Sequence, residues 1–200
     1  EKAEYAMPSL PQTDSARINT WFPDVAELSQ EYKINAGQKA IAMVVESAPE
    51  VNIELEIENS VSSFSIANTN GLSLSGESTA YSFGFNLLSV DSNGLLWVSN
   101  GNSSAKLDIR NEALIQKSLF LLDKAKKVVT APKPEVILME PSVVGTLISG
   151  FLAAINGKTV LKGVSPLSKR IGEAITGTAF SLIEEPLMQN RPGSFPFDDE

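Results

Sequence analysis

Cysteine and histidine are both absent from the 200 residues. That removes disulfides, thiolate nucleophiles, imidazole general bases and the usual zinc ligands from this chain's own chemistry. Long apolar runs are missing as well. The best candidate is interrupted at Glu140-Pro141, short of the ~20 residues a membrane helix needs. No basic, apolar, small-residue stretch of the signal-peptide kind opens the sequence. Positive charge is scarce in the first half: residues 1–105 hold 13 acidic and 4 basic side chains, against 11 and 12 in the remainder. A net charge of −8 so distributed argues against a broad phosphate-binding surface on that half, and so against direct nucleic-acid binding. The hydrophobic fraction of 42% and charged fraction of 20% are ordinary for a soluble globular protein.

Residues 1–23 contain three prolines and little periodicity, and are expected to be a connecting segment. Ser29 can cap a helix running to about Ser47, with Ile34, Ala40, Ile41, Val44 and Val45 available for packing. Residues 51–58 are the clearest strand. Val51, Ile53, Leu55 and Ile57 alternate with Asn52, Glu54, Glu56 and Glu58, giving one apolar and one acidic face. Further strands are expected at 62–68, 72–78, 81–90 and 95–99, with a hairpin turn at Asn70-Gly71 and another at Asp91-Ser92-Asn93-Gly94. Short turns between sequential strands predict an antiparallel meander whose Tyr81, Phe83, Phe85 and Leu87 share a core face. Asn111 can cap a helix over 112–127 that packs through Leu114, Ile115, Leu119, Leu122 and Ala125. Lys117, Lys124, Lys126 and Lys127 form its solvated side. The prolines at 130–134 mark a stiff linker and a domain boundary.

Beyond the linker, residues 135–139 suit a buried strand, and Pro141 suits the first turn of a helix. Val143, Val144, Leu147, Ile148, Phe151, Leu152 and Ile155 recur at helical spacing until Asn156-Gly157 ends the run. Gly145, Thr146, Ser149, Gly150 and Ala153 make the opposite face small and uncharged. A helix with no charged face is expected to be buried on both sides, with another backbone pressed against Gly150 and Ala153. A helix over 166–175 and a strand over 180–184 follow, then a turn-rich tail.

Several motifs invite a chemistry that they do not support. Gly157-Lys158-Thr159 resembles the end of a phosphate loop, but Leu152 replaces the required glycine and the triplet follows a helix. Ser103-Ser104-Ala105-Lys106 fits Ser-x-x-Lys without its companion motifs. Ser149 has no base beside it. Glu184-Glu185 and Asp198-Asp199-Glu200 match no calcium loop and read as solvated charge. The residues alone present no catalytic constellation.

Four segments, in order, carry a family likeness. They are Ala67-Asn68-Thr69-Asn70-Gly71; Glu140-Pro141-Ser142-Val143-Val144-Gly145-Thr146-Leu147; the run from Lys162 to Gly172; and Gly193-Ser194-Phe195-Pro196-Phe197-Asp198-Asp199-Glu200. The chain resembles the TldD/PmbA family, long labelled modulators of DNA gyrase and now seen as relatives of zinc peptidases. In its peptidase branch the helix after Glu-Pro carries His-Glu-x-x-x-His. The resemblance puts Ser149 at the first histidine, Gly150 at the glutamate and Ala154 at the second histidine. A neutral serine, a glycine and an alanine replace neither two imidazoles nor a carboxylate.

The resemblance implies an α+β protein, a helix-flanked antiparallel meander followed by the start of a second α+β domain with a buried central helix. It divides the chain into a connecting segment (1–23) after a missing N-terminal domain, a middle domain (24–130) and the beginning of a C-terminal domain (134–200), truncated at both ends. It also implies a PmbA/TldE-like, non-catalytic subunit of a cytoplasmic metallopeptidase complex. Such a subunit would hold no cofactor, with zinc only in a TldD-type partner, and Gly145, Ser149, Gly150 and Ala153 would be a partner or peptide-substrate surface. The competing expectations are a homo-oligomer, a freestanding binding scaffold, and an active metallopeptidase drawing ligands from outside these residues.

Overall fold

The computed structural model describes residues 18–91, 94–126, 133, 135–170 and 172–197. The expected connecting segment before residue 18, Ser92 and Asn93 of the second turn, Lys127, most of the proline linker and Asp198-Asp199-Glu200 lie outside the described residues. The chain divides into two units, one of Glu1–Val128 with Glu184–Glu200 and one of Val129–Ile183.

The first unit begins with a short helix, α1 (Pro23–Ala26), which buries Val25 completely. Ser29 then stands in extended conformation, and its hydroxyl accepts the Tyr32 N–H at 3.1 Å. That bond satisfies one of the free donors at the start of α2 (Gln30–Ser47). The helix turns inward only part of the stripe expected, Ala40 and Val44, together with Gly37, whereas Ile34, Ile41 and Val45 are exposed. The reason is distance. A Cβ on Gly37 would lie 3.2 Å from Leu55 Cδ2, so only the small-residue stripe lets this helix settle against the strand below.

The meander has three long strands where five short ones were expected. They are β1 (Asn52–Ala67), β2 (Ser73–Asp91) and β3 (Gly94–Ser104), antiparallel in the order β1-β2-β3. The β1–β2 register runs unbroken from Asn52↔Leu88 to Ala67↔Ser73. The polar stretch that reads as a break at Asn59 stays in the ladder because that side chain is occupied. Its Nδ2 donates to the Val25 carbonyl at 2.9 Å, and its Oδ1 accepts from Lys33 Nζ at 3.0 Å. The first hairpin turns at Asn70-Gly71 as expected. Asn68 Oδ1 accepts the N–H groups of Asn70 and Leu72, and Gly71 takes a φ of 86°, which favours glycine.

Tyr81, Phe83, Phe85 and Leu87 are all buried on one face of β2, together with Val51 and the half-buried Ile53, Leu55 and Ile57 of β1. Glu54, Glu56 and Glu58 point the other way and are exposed. The core is closed by α2 and by α3 (Asn111–Ala125), which contributes Ile115 and Leu122. Asn111 does not cap this helix; it is its first residue. Its Nδ2 donates instead to the Tyr81 hydroxyl at 3.0 Å.

The sheet is covered on opposite faces at its two ends. From Thr79 onward the odd-numbered residues of β2 are the buried ones, but from Leu74 to Ser78 the even-numbered residues are the better covered. The cause is the tail after Glu184. Phe195 and Phe197 stack with Phe64 of β1, with ring centroids 5.9 and 5.6 Å from it, and Phe195 covers Gly76. Where β3 stops, another strand-like segment takes over the free side of β2. The Thr79 N–H donates to the Thr20 carbonyl at 2.8 Å, and Thr79 Oγ1 donates to the Ala105 carbonyl at 3.0 Å.

The second unit holds α4 (Pro141–Ile155) and α5 (Gly157–Leu161). Pro141 opens α4 as expected. Asn156 ends it, and its Oδ1 then caps α5 by accepting the Lys158 and Thr159 N–H groups at 3.1 and 3.4 Å. The expected strands at 135–139 and 180–184 are not formed, for neither stretch has a neighbouring strand to pair with. The expected helix at 166–175 is not formed: its described residues, 166–170 and 172–175, make turns and irregular backbone, and Ile171 lies outside the described residues. Ser165 starts the turns, donating to the Ala154 carbonyl at 2.6 Å and accepting the Leu167 N–H at 3.0 Å. The expected burial of α4 on both sides is also not met. No described side chain on it is buried within this chain, and Leu147 is 60% exposed.

Candidate functional site

Helix α4 carries the four candidate surface positions, Gly145, Ser149, Gly150 and Ala153, and the three that the resemblance sets against the metal site, Ser149, Gly150 and Ala154. At ~100° per residue, Gly145, Ser149 and Ala153 follow one another down a single face, and Gly150 and Ala154 form the adjacent row. Ser149 and Ala154 are five residues apart and therefore diverge by ~140° around a regular helix. Gly145, Ser149, Gly150 and Ala153 are exposed, and Ala154 is half-buried. A Cβ added to Gly145 or Gly150 would meet nothing within 4 Å. The expected backbone neighbour at Gly150 is thus absent among the described residues. Within this chain the helix is held through α5 and the turn at Ser165, both toward its C-terminal end, which leaves the small face open.

The chemistry available on that face is narrow. Ser149 Oγ donates to the Thr146 carbonyl at 2.6 Å, a bond back into its own helix, so the hydroxyl is not aligned with a base. Gly150 and Ala154 offer no side-chain donor at all. Zinc needs three or four nitrogen, sulfur or carboxylate ligands. Ser149, Gly150 and Ala154 do not fit it, and no reaction step can be written through a metal held by them. Among the described residues, no group of three or more Asp and Glu side chains is disposed to hold a cation.

The other sequence candidates are accounted for by their contacts. Ser103 Oγ donates to the Tyr81 carbonyl at 3.3 Å, while the Lys106 ammonium sits 5.2 Å from the centre of the Phe22 ring. They do not form a nucleophile–base pair. Glu184 and Glu185 are exposed. Of the lysines on α3's solvated side, Lys126 binds Glu50 at 2.7 Å, and that bond holds the Glu50 carboxyl below the usual carboxylate range. Lys39 and Glu112 pair at 2.6 Å between α2 and α3; their hydrogen bond lowers the Glu112 pKa and raises that of Lys39.

One feature escaped the sequence reading altogether. A cleft of about 590 Å³ opens between the end of β3, the start of α3 and the tail, with Asp108, Arg110, Lys117, Asn190 and Arg191 on its walls. These residues belong to three stretches of sequence that no local pattern links. Only the folding back of the tail brings Arg191 to Arg110.

Residues 133–200 match the family model described as the PmbA/TldA metallopeptidase C-terminal domain. The stretch includes the whole of α4. No curated protein matches the chain. Among solved structures, TldE from Thermococcus kodakarensis is similar with a TM-score of 0.78 at 17% identity, covering 96% of this chain and 44% of its own. A proposed modulator of a DNA gyrase from Thermotoga maritima MSB8 is similar with a TM-score of 0.84 at 20% identity, covering 98% of this chain and 46% of its own. At these identities the two structures establish a shared fold. The chain spans less than half the length of either.

Proposed function

From the assignment to the TldD/PmbA family, which the match over residues 133–200 and the shared fold support, we propose that the chain is a non-catalytic, PmbA/TldE-like subunit of a metallopeptidase assembly acting on peptides. The observation that carries this reading is the composition of α4. It lies within the part that matches a metallopeptidase domain, yet the positions that the resemblance sets against the branch's zinc ligands and catalytic glutamate hold Ser149, Gly150 and Ala154. In this reading the catalytic zinc sits in a histidine-bearing, TldD-type partner, and the assembly works in the cytoplasm.

The open face of α4 supports the partnership. Gly145, Ser149, Gly150 and Ala153 expose a helix surface without large side chains, beside the exposed apolar residues Val143, Leu147 and Leu152. An uncharged helix face with no described residue against it is a poor solvent surface and a good docking one.

The test is purification of the full-length tagged protein from its native host, with the co-purifying protein identified by mass spectrometry and the zinc content measured. A histidine-bearing homologue at fixed stoichiometry, with zinc lost when that partner is removed, is the expected result. One tightly held zinc per chain in the isolated protein, with peptide cleavage, would overturn the reading in favour of an active peptidase. Recovery without any partner would favour a freestanding scaffold or a homo-oligomer.

A further inference from the structure

We propose that the cleft between β3, α3 and the tail binds a small carboxylate that also carries an N–H or ammonium group, as the C-terminus of a peptide or a free amino acid does. The inference is independent of any peptidase partnership, because it rests on residues of the first unit alone.

The cleft's charge runs against that of the protein. Arg110, Lys117 and Arg191 share its walls with a single carboxylate, Asp108, in a chain whose net charge is −8. Among the described residues, the guanidinium groups of Arg110 and Arg191 make no ion pair or hydrogen bond, and Asp108 is equally uncommitted. Two guanidiniums left without anions in one concavity leave a site for an anion to enter from solvent. Their planar N–H forks match a carboxylate's two oxygens. The volume is that of a site for a small molecule rather than for a single ion.

The backbone brings both arginines to the lining of one cleft. Arg110 stands at the position before α3, in a non-helical conformation. Asn190, immediately before Arg191, takes a φ of 62°, a left-handed conformation that asparagine tolerates better than most residues. Its carbonyl accepts the Ala105 N–H at 3.4 Å, tying this turn of the tail to the end of β3. The unusual turn therefore directs the chain so that Arg191 borders the same cleft as Arg110.

Asp108 sets the ligand class. A dianionic phosphate would be repelled by a carboxylate lining the same cleft, whereas a ligand bearing a cationic or N–H group gains an acceptor there. An amino-acid or peptide terminus supplies both halves of that pattern.

Isothermal titration of the protein at low salt tests the assignment with four probes: alanyl-alanine, its C-terminal amide, succinate and inorganic phosphate. Saturable one-site binding of alanyl-alanine is expected, with the amide weaker by about tenfold or more because it cannot accept from both guanidiniums as an anion. Arg110→Gln and Arg191→Gln should each weaken the dipeptide by a similar factor. Asp108→Asn should weaken the dipeptide while leaving succinate bound or strengthened. All three residues are exposed, and circular dichroism will confirm that the variants fold. Failure of the dipeptide to bind, equal binding of its amide, indifference to both arginine changes, or tighter binding of phosphate would each overturn the proposal.

Discussion

Gly150→Ala gives opposite results depending on whether anything lies against the small face of α4. Glycine in a helix interior is ~0.8–1.0 kcal/mol less favourable than alanine. A Cβ at position 150 meets no atom within 4 Å, and no positive φ reserves the site for glycine. The substitution should therefore stabilise α4 by ~1 kcal/mol. A backbone packed there would instead make the added methyl cost ~1–3 kcal/mol.

The same change at two other glycines supplies the scale. At Gly37 the methyl would lie 3.2 Å from Leu55 Cδ2, the mobile end of a side chain, so the propensity gain and the crowding should roughly cancel. At Gly101 it would lie 3.0 Å from the Gly84 Cα and the Phe83 carbonyl oxygen, which are backbone and cannot yield. Gly101→Ala should destabilise by ~1–3 kcal/mol. Urea denaturation measures the changes at Gly37 and Gly101, and native-state hydrogen exchange of the α4 amides measures the change at Gly150, since α4 belongs to the other unit. Faster exchange in Gly150→Ala would refute the open face. In a purified complex, the same variant should dissociate more readily if the partner closes on that face.

Three further outcomes follow from the first unit. Ile53→Asp should cost several kcal/mol by placing a charge among core residues, whereas Glu54→Lys on the exposed face should stay within ~0.5 kcal/mol; equal losses in thermal melts would mean the register is wrong. Phe195→Ala removes ring contacts with Phe64 and Phe197 and should cost ~1–3 kcal/mol while making the tail a protease target before the sheet; uniform resistance to proteolysis would count against the clasp. Burial raises the Tyr81 pKa, so its neutral form belongs to the folded state and the stability it contributes is lost as pH rises past ~10, where unfolded tyrosine ionises. A 295 nm titration should show a late-titrating tyrosine that vanishes in Tyr81→Phe.

The sequence revealed elements better than it revealed contacts between them. The alternation from Val51 to Glu58 and the aromatic row from Tyr81 to Phe85 placed the strands and their inner face correctly, because burial on one side imposes a period of two. At α2 the reading held only in part: Ala40 and Val44 are buried as expected, together with Gly37, whereas Ile34, Ile41 and Val45 are exposed. Hydrophobicity identifies a stripe, but closeness of approach decides which stripe is used. At α4 the composition indicated burial, yet the described residues leave its small face open. The cleft was invisible for a different reason: Arg110 and Arg191 meet only through tertiary structure.

The far end of the β1–β2 ribbon depends on residues that reach the ribosome's exit at very different times. Thr79 is bonded to Thr20, made well before it, and to Ala105, made after it. Gly76 and Phe64 then wait for Phe195, which is made about 130 residues after Phe64. During synthesis the near part of the ribbon can pair and bury its aromatic row while its tip has no cover. Closure of so long a loop is slow compared with hairpin formation. For that interval Phe64 and the bare backbone at Gly76 are open to other nascent chains, which makes the emerging tail a guard against aggregation as well as a part of the finished fold.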